Sequence, residues 1–93
     1  YHNGDTDLFG DMALIGSHFK IDLMLACIGD HFTMGPDRAA EAVKLVKAKQ
    51  VVPMHFGTFP VLTGTPDAFA KALKKTSPRT KLTVMQVGKS IEL

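Results

Sequence analysis

Three short stretches bring together the residue types that do chemistry: Gly4-Asp5-Thr6, Gly29-Asp30-His31 and His55-Phe56-Gly57-Thr58. Each sets glycine close to a carboxylate, an imidazole or both. Glycine lets a backbone turn tightly and approach a ligand closely. Carboxylate with imidazole is a hard-to-borderline donor set that suits zinc, manganese or iron. A carboxylate can also bridge two metals, one oxygen to each. Such a pair activates a water and stabilises the oxygens of a hydrolytic displacement. Each residue also has an ordinary structural role open to it. Asp5 could cap a following helix, and Asp30 could fold its own loop through side-chain to backbone bonds. His55 could be a satisfied core histidine, His31 a loop histidine and His18 a helix-surface one. His2 and Asn3 alternate along a strand, so at most one of them faces any rim.

The elements around these stretches alternate. Residues 1–3 read as the end of a strand. Leu8, Met12, Ile15 and Phe19 recur at spacings of four, three and four, a helical stripe that Gly10 and Gly16 weaken. Residues 21–28 form a nearly unbroken apolar run, as expected of a strand covered on both faces. Gly35-Pro36-Asp37 starts a helix with Ala39, Val43 and Val46 on its inner face. Residues 51–55 are a further strand, in which Pro53 suggests an edge or a bulge. Thr65 is the expected N-cap of a helix that buries Phe69 and Leu73 and stops at Ser77-Pro78. Residues 81–87 and 91–93 read as two last strands. This alternation predicts an α/β layer structure, with one domain over residues 1–93. In open sheets of that class, ligands bind beyond the carboxyl ends of the strands, where the three stretches lie.

Composition narrows the alternatives. The chain has 93 residues, 45% of them apolar and 22% charged, which excludes disordered, collagen-like and coiled-coil classes. The apolar run at residues 23–28 is too short to span a bilayer, and no signal peptide is visible, so no membrane role is expected. Cys27 is the only cysteine, which suggests a reducing, cytoplasmic setting and a buried thiol. Charge is uneven: residues 1–37 hold six acids and one base, residues 38–93 ten bases and three acids. Lys71, Lys74, Lys75, Arg79 and Lys81 could form an anion patch. They read better as a solvated helix face and end, and no nucleic-acid partner is expected. Gly88-Lys89-Ser90 lacks the earlier glycine of a phosphate-binding loop, Thr83 standing there. No Gly-x-Ser-x-Gly elbow occurs.

The order and spacing of Tyr1-His2-Asn3-Gly4-Asp5-Thr6, Leu8-Phe9-Gly10-Asp11-Met12, Ile28-Gly29-Asp30-His31-Phe32-Thr33-Met34-Gly35-Pro36 and Val52-Pro53-Met54-His55-Phe56-Gly57-Thr58-Phe59-Pro60 resemble the C-terminal half of metallo-β-lactamase-fold hydrolases. The resemblance is to the small metal-dependent hydrolases of that superfamily. It implies half of an αββα sandwich. It also implies that Asp5 bridges two metals, zinc in the first instance with manganese or iron as alternatives, and that His55 is a terminal ligand of one. The activity implied is hydrolysis of an ester, amide or phosphodiester in a small-molecule substrate by a metal-bound hydroxide. The superfamily's His-x-His-x-Asp-His motif is absent from the 93 residues. With the strand already under way at Tyr1, this leads us to expect a fragment. Its partner would then be a missing N-terminal half, and the 93 residues alone would be inactive. The alternative expectation is a non-catalytic α/β module that self-associates, or pairs with a partner, through an uncovered sheet face.

Overall fold

A computed structural model describes residues 1–93. The elements are α1 (Met12–His18), β1 (Leu23–Cys27), α2 (Pro36–Val46), β2 (Gln50–Met54), α3 (Pro66–Thr76) and β3 (Lys81–Leu82). The sheet is parallel in the order β1-β2-β3. Residues 1–3 extend it beyond β1: His2 bridges Leu25 in parallel, the Leu25 amide donates to the Tyr1 carbonyl at 2.9 Å, and Asn3 donates back to Leu25. The α/β layering is therefore as the alternation predicts.

Local chemistry explains the helix ends. Pro36 and Pro66 both stand in the first turn of their helices, where the missing N–H goes unneeded. Thr65 caps α3 as expected, its hydroxyl accepting from the Ala68 amide at 3.2 Å. After α2, Lys47 takes a left-handed conformation (φ 56°), and the Ala48 amide returns to the Val43 carbonyl. α2 lies between α1 and α3 and against β1. Its Ala39, Ala40, Ala42, Val43 and Val46 are fully or almost fully buried with Met12, Met24, Ala26, Ile28, Met34, Val51 and Phe69. Removing each large side chain of this set from water stabilises the fold by about 1.5–3 kcal/mol.

Four expectations need correction. The stripe from Leu8 to Phe19 is helical only from Met12 to His18; Leu8 lies outside any helix or strand and Phe19 is 66% exposed. β3 ends at Leu82, the Thr83 amide makes the last ladder bond, and the chain then leaves the sheet, so residues 83–87 are not strand. Residues 91–93 form no strand either, and Val84, Val87 and Leu93 are exposed. Apolar alternation alone could not tell a paired strand from an extended tail. Last, Pro53 sits in the central strand rather than at an edge. Lys49 and Val51 accept from Lys81 and Thr83, so the same side of β2 at Pro53 faces the region where β3 has already ended. The missing N–H thus breaks no ladder. No helix is long and apolar enough to cross a membrane.

Candidate metal centre

The carboxyl ends of residues 1–3, β1 and β2 form one rim, and each end is turned by a residue with positive φ. At the first, the Cys27 amide donates to the Asn3 side-chain oxygen (3.3 Å) instead of to a backbone carbonyl. The chain leaves the ladder there, with Gly4 at φ 64° and its amide tied to His2 Nδ1 at 3.0 Å. That departure carries Asp5 over the strand ends. A second tether holds the same loop: Arg38, in the first turn of α2, grips the Asp7 carboxylate at 2.6 Å. The Arg38 hydrogen bond, followed by the Leu8 amide, holds the Asp7 carboxyl below the usual carboxylate range.

At the end of β2, His55 adopts φ 58°. Its Nε2 lies 3.6 Å from Asp5 Oδ1. The gap is too long for a hydrogen bond, and an ion pair of such exposure is worth ~0–1 kcal/mol. A left-handed non-glycine residue costs on the order of 1–3 kcal/mol. The attraction to Asp5 is therefore too weak to sustain the backbone of His55, which the surrounding chain must impose. His55 Nδ1 is buried without a hydrogen-bond partner. So His55 is not the satisfied core histidine that its apolar strand allowed, and Asp5 does not cap α1, whose N-cap position is Asp11.

The pair suits a cation. Two donors bound to one ion at about 2.0–2.2 Å with tetrahedral angles stand ~3.4 Å apart, near the separation observed. No third His, Cys, Asp or Glu completes the group. The other candidates are occupied elsewhere. Asp30 (φ 65°) folds its own loop, accepting from the His31 amide at 2.9 Å. His31 is exposed and packs edge-on against Phe32. His2 is spent on Gly4, and His18 lies exposed in the last turn of α1. Cys27 is buried and free, its Sγ near the Thr6 carbonyl. Two residues at this site have roles that the sequence did not assign them. One is Asn3, whose side chain replaces a ladder acceptor. The other is Gly29, which packs against His55. Neither role leaves a signal without the neighbouring strand in place.

Comparison with known proteins bears on the family and the fold. A family model described as a beta-lactamase superfamily domain matches residues 1–55. A UPF0173 metal-dependent hydrolase of Thermodesulfovibrio yellowstonii is 52% identical over all 93 residues, which make up 35% of that protein. One from Myxococcus xanthus is also 52% identical, over 33% of its length. The chain thus spans about a third of the length of the curated relatives it matches. Among solved structures, Igni18, a metallo hydrolase of Ignicoccus hospitalis, superposes on 95% of the chain with a TM-score of 0.87 and 36% identity; the match covers 37% of Igni18. The metallo-beta-lactamase fold protein YhfI of Bacillus subtilis gives a TM-score of 0.72 at 16% identity, covering 95% of this chain and 37% of YhfI, a likeness of fold alone. The chain belongs to the beta-lactamase superfamily domain family and shares the metallo-β-lactamase fold.

Proposed function

We propose that residues 1–93 are the part of a metal-dependent hydrolase that contributes Asp5 and His55 to a centre of two divalent ions, zinc in the first instance, with manganese or iron as alternatives. The observation that carries this reading is the approach of Asp5 Oδ1 to His55 Nε2 across two strand ends, too far apart to bond each other and well spaced to share an ion. The relatives named metal-dependent hydrolases support it. The metals would activate a water and steady the oxygens of the displacement in an ester, amide or phosphodiester of a small molecule. Asp5, its side chain largely open to solvent on a turned loop, would hold the ions through its carboxylate. His55 would offer Nε2 to one of them, its Nδ1 side staying packed in the rim. Two donors fall short of the four that zinc normally takes, so the remaining ligands come from outside these 93 residues. A reducing cytoplasm suits the free Cys27.

Paramagnetic broadening by Mn²⁺ tests the ligand assignment directly. Weak binding centred on Asp5 and His55 is expected, lost in Asp5→Asn and in His55→Ala. Broadening centred elsewhere overturns the assignment, and tight stoichiometric metal on the 93 residues overturns the claim that the site is shared. Joined to the remainder of the Thermodesulfovibrio yellowstonii relative, the chain should hydrolyse p-nitrophenyl acetate or bis(p-nitrophenyl) phosphate. Either substitution should then cost about 100-fold or more.

A further inference from the structure

We infer that Gly29 is a positioning residue for His55, and that its lack of a side chain is what aims the imidazole at Asp5; this rests on the ligand reading of that pair. A β-carbon at Gly29 would stand 2.1 Å from the His55 carbonyl oxygen, 3.2 Å from its carbonyl carbon and 3.3 Å from Nδ1. The first of these distances must grow by about an ångström before the contact becomes tolerable.

Gly29 has nowhere to retreat. One residue earlier, the Ile28 amide donates to the Met54 carbonyl at 3.1 Å, fixing β1 to β2 immediately before His55. On its other side, the Gly29 carbonyl accepts from the Gly64 amide at 3.1 Å. Gly64 is equally close-packed, a β-carbon there lying 1.8 Å from the Ile28 carbonyl oxygen. The end of β1 is thus held between the loop that precedes α3 and the end of β2. The element with freedom to yield is His55, just past the end of β2 and two residues before the exposed bend at Gly57, already in a strained conformation. The buried, unpartnered Nδ1 has the same origin: the ring edge lies against glycine backbone, where no acceptor stands in reach. Ligating histidines usually have their second nitrogen held by a hydrogen bond. Here the shape of the Gly29 backbone takes over that orienting role, so the aim of Nε2 depends on a contact that one methyl group destroys. A displacement of this size at a ligand is enough to matter for a metal shell or a reacting geometry.

The experiment is nuclear magnetic resonance on the 93-residue chain, comparing wild type with Gly29→Ala and with Thr80→Ala, a control that removes the Thr80 bond to the Ala48 carbonyl at the opposite end of the sheet. In wild type, His55 should hold one χ1 rotamer with ring contacts to the Gly29 α-protons. In Gly29→Ala, the ring contacts to Asp5 should vanish, and half-broadening of the Asp5 signals should need at least about ten times more Mn²⁺. Thr80→Ala should leave both readouts at wild-type values despite its lower stability. A folded Gly29→Ala chain that keeps its His55–Asp5 contacts and its Mn²⁺ response overturns the inference. If that variant does not fold, the wild-type measurement decides: an imidazole that averages over rotamers, or makes no contact with Gly29, overturns it as well. Absence of Mn²⁺ broadening at Asp5 and His55 in wild type would instead remove the ligand assignment itself, while the rotamer measurement would still report on Gly29.

Discussion

The two ends of the sheet are built to opposite standards. At the carboxyl-end rim, Asp30, His31 and His55 all carry positive φ, and both buried side-chain nitrogens without partners, on Asn3 and His55, lie on this side. At the opposite end, groups are matched. The Thr80 hydroxyl donates to the Ala48 carbonyl at 2.9 Å and also pairs with Ser77 at 2.8 Å, while the Lys49 amide reaches the Ile21 carbonyl. The one left-handed residue there, Lys47, ends a helix in the usual way. Unsatisfied atoms and strained backbone are costly, and they persist where the surrounding structure over-determines them. On the proposed reading the rim holds residues in place for chemistry, while the other end is built for order.

A matched pair of glycines gives the largest test of this contrast. Gly16 in α1 abuts α2 as Gly29 abuts His55: a β-carbon would lie 2.3 Å from the Leu45 carbonyl oxygen and 2.8 Å from that of Val46. The obstacle there is a helix backbone that cannot rotate away, so Gly16→Ala should destabilise the chain by about 3 kcal/mol, the upper range for overpacking. Urea denaturation measures it. Wherever the variant remains folded, its Mn²⁺ response at Asp5 and His55 should be unchanged. A response weakened as much as in Gly29→Ala would mean that the rim is not mechanically separate from the helices.

Replacing the strained residues by glycine sharpens the same point with a smaller effect. Lys47→Gly should raise stability by about 0.5–1 kcal/mol, since an exposed left-handed helix end favours glycine. His55→Gly relieves the same kind of dihedral but also removes a half-buried ring, so stability should change by no more than about 1 kcal/mol in either direction. The Mn²⁺ response, by contrast, should be abolished in His55→Gly and untouched in Lys47→Gly. A large loss of stability in His55→Gly would recast His55 as a structural residue.

What could be read from the sequence follows the same division. The alternation of elements, the Thr65 cap and the core stripe on α2 are local or periodic, and periodicity survives in one dimension. Asp5 and His55 stand out because their types and glycine-marked strand ends carry chemistry, and the topology brings them together. The failures are all three-dimensional. Gly16 reads as a flaw in a helix, yet it is where α1 meets α2. Pro53 reads as an edge residue, yet it lies in the middle strand beside the end of a short one. Residues 83–87 have a strand's composition, but the last ladder bond to β2 is made by the Thr83 amide, and nothing local marks that point. Gly29 looks like turn punctuation until the carbonyl of His55 is seen against it.

The smallest effect concerns the tether that holds the Asp5 loop to α2. Arg38 lowers the affinity of Asp7 for its proton in the folded chain, with the Leu8 amide assisting. The folded value therefore lies below the unfolded one. The stabilisation is complete above the ordinary carboxylate value and is lost as pH falls through the lower folded value. Both side chains are well exposed, so the contribution is small and salt-sensitive. Asp7→Asn should then be slightly less stable than wild type at pH 7, and the two should converge in strong acid. Denaturant midpoints measured against pH follow that difference, and a gap that widens toward low pH would contradict the tether. Because the pair spans the loop of Asp5 and the first turn of α2, its loss should also broaden the mobility of residues 4–9 while leaving the Gly29–His55 contact intact. That separates how Asp5 is held, by an exposed charge that solvent can compete for, from how His55 is held, by backbone contact that solvent cannot reach.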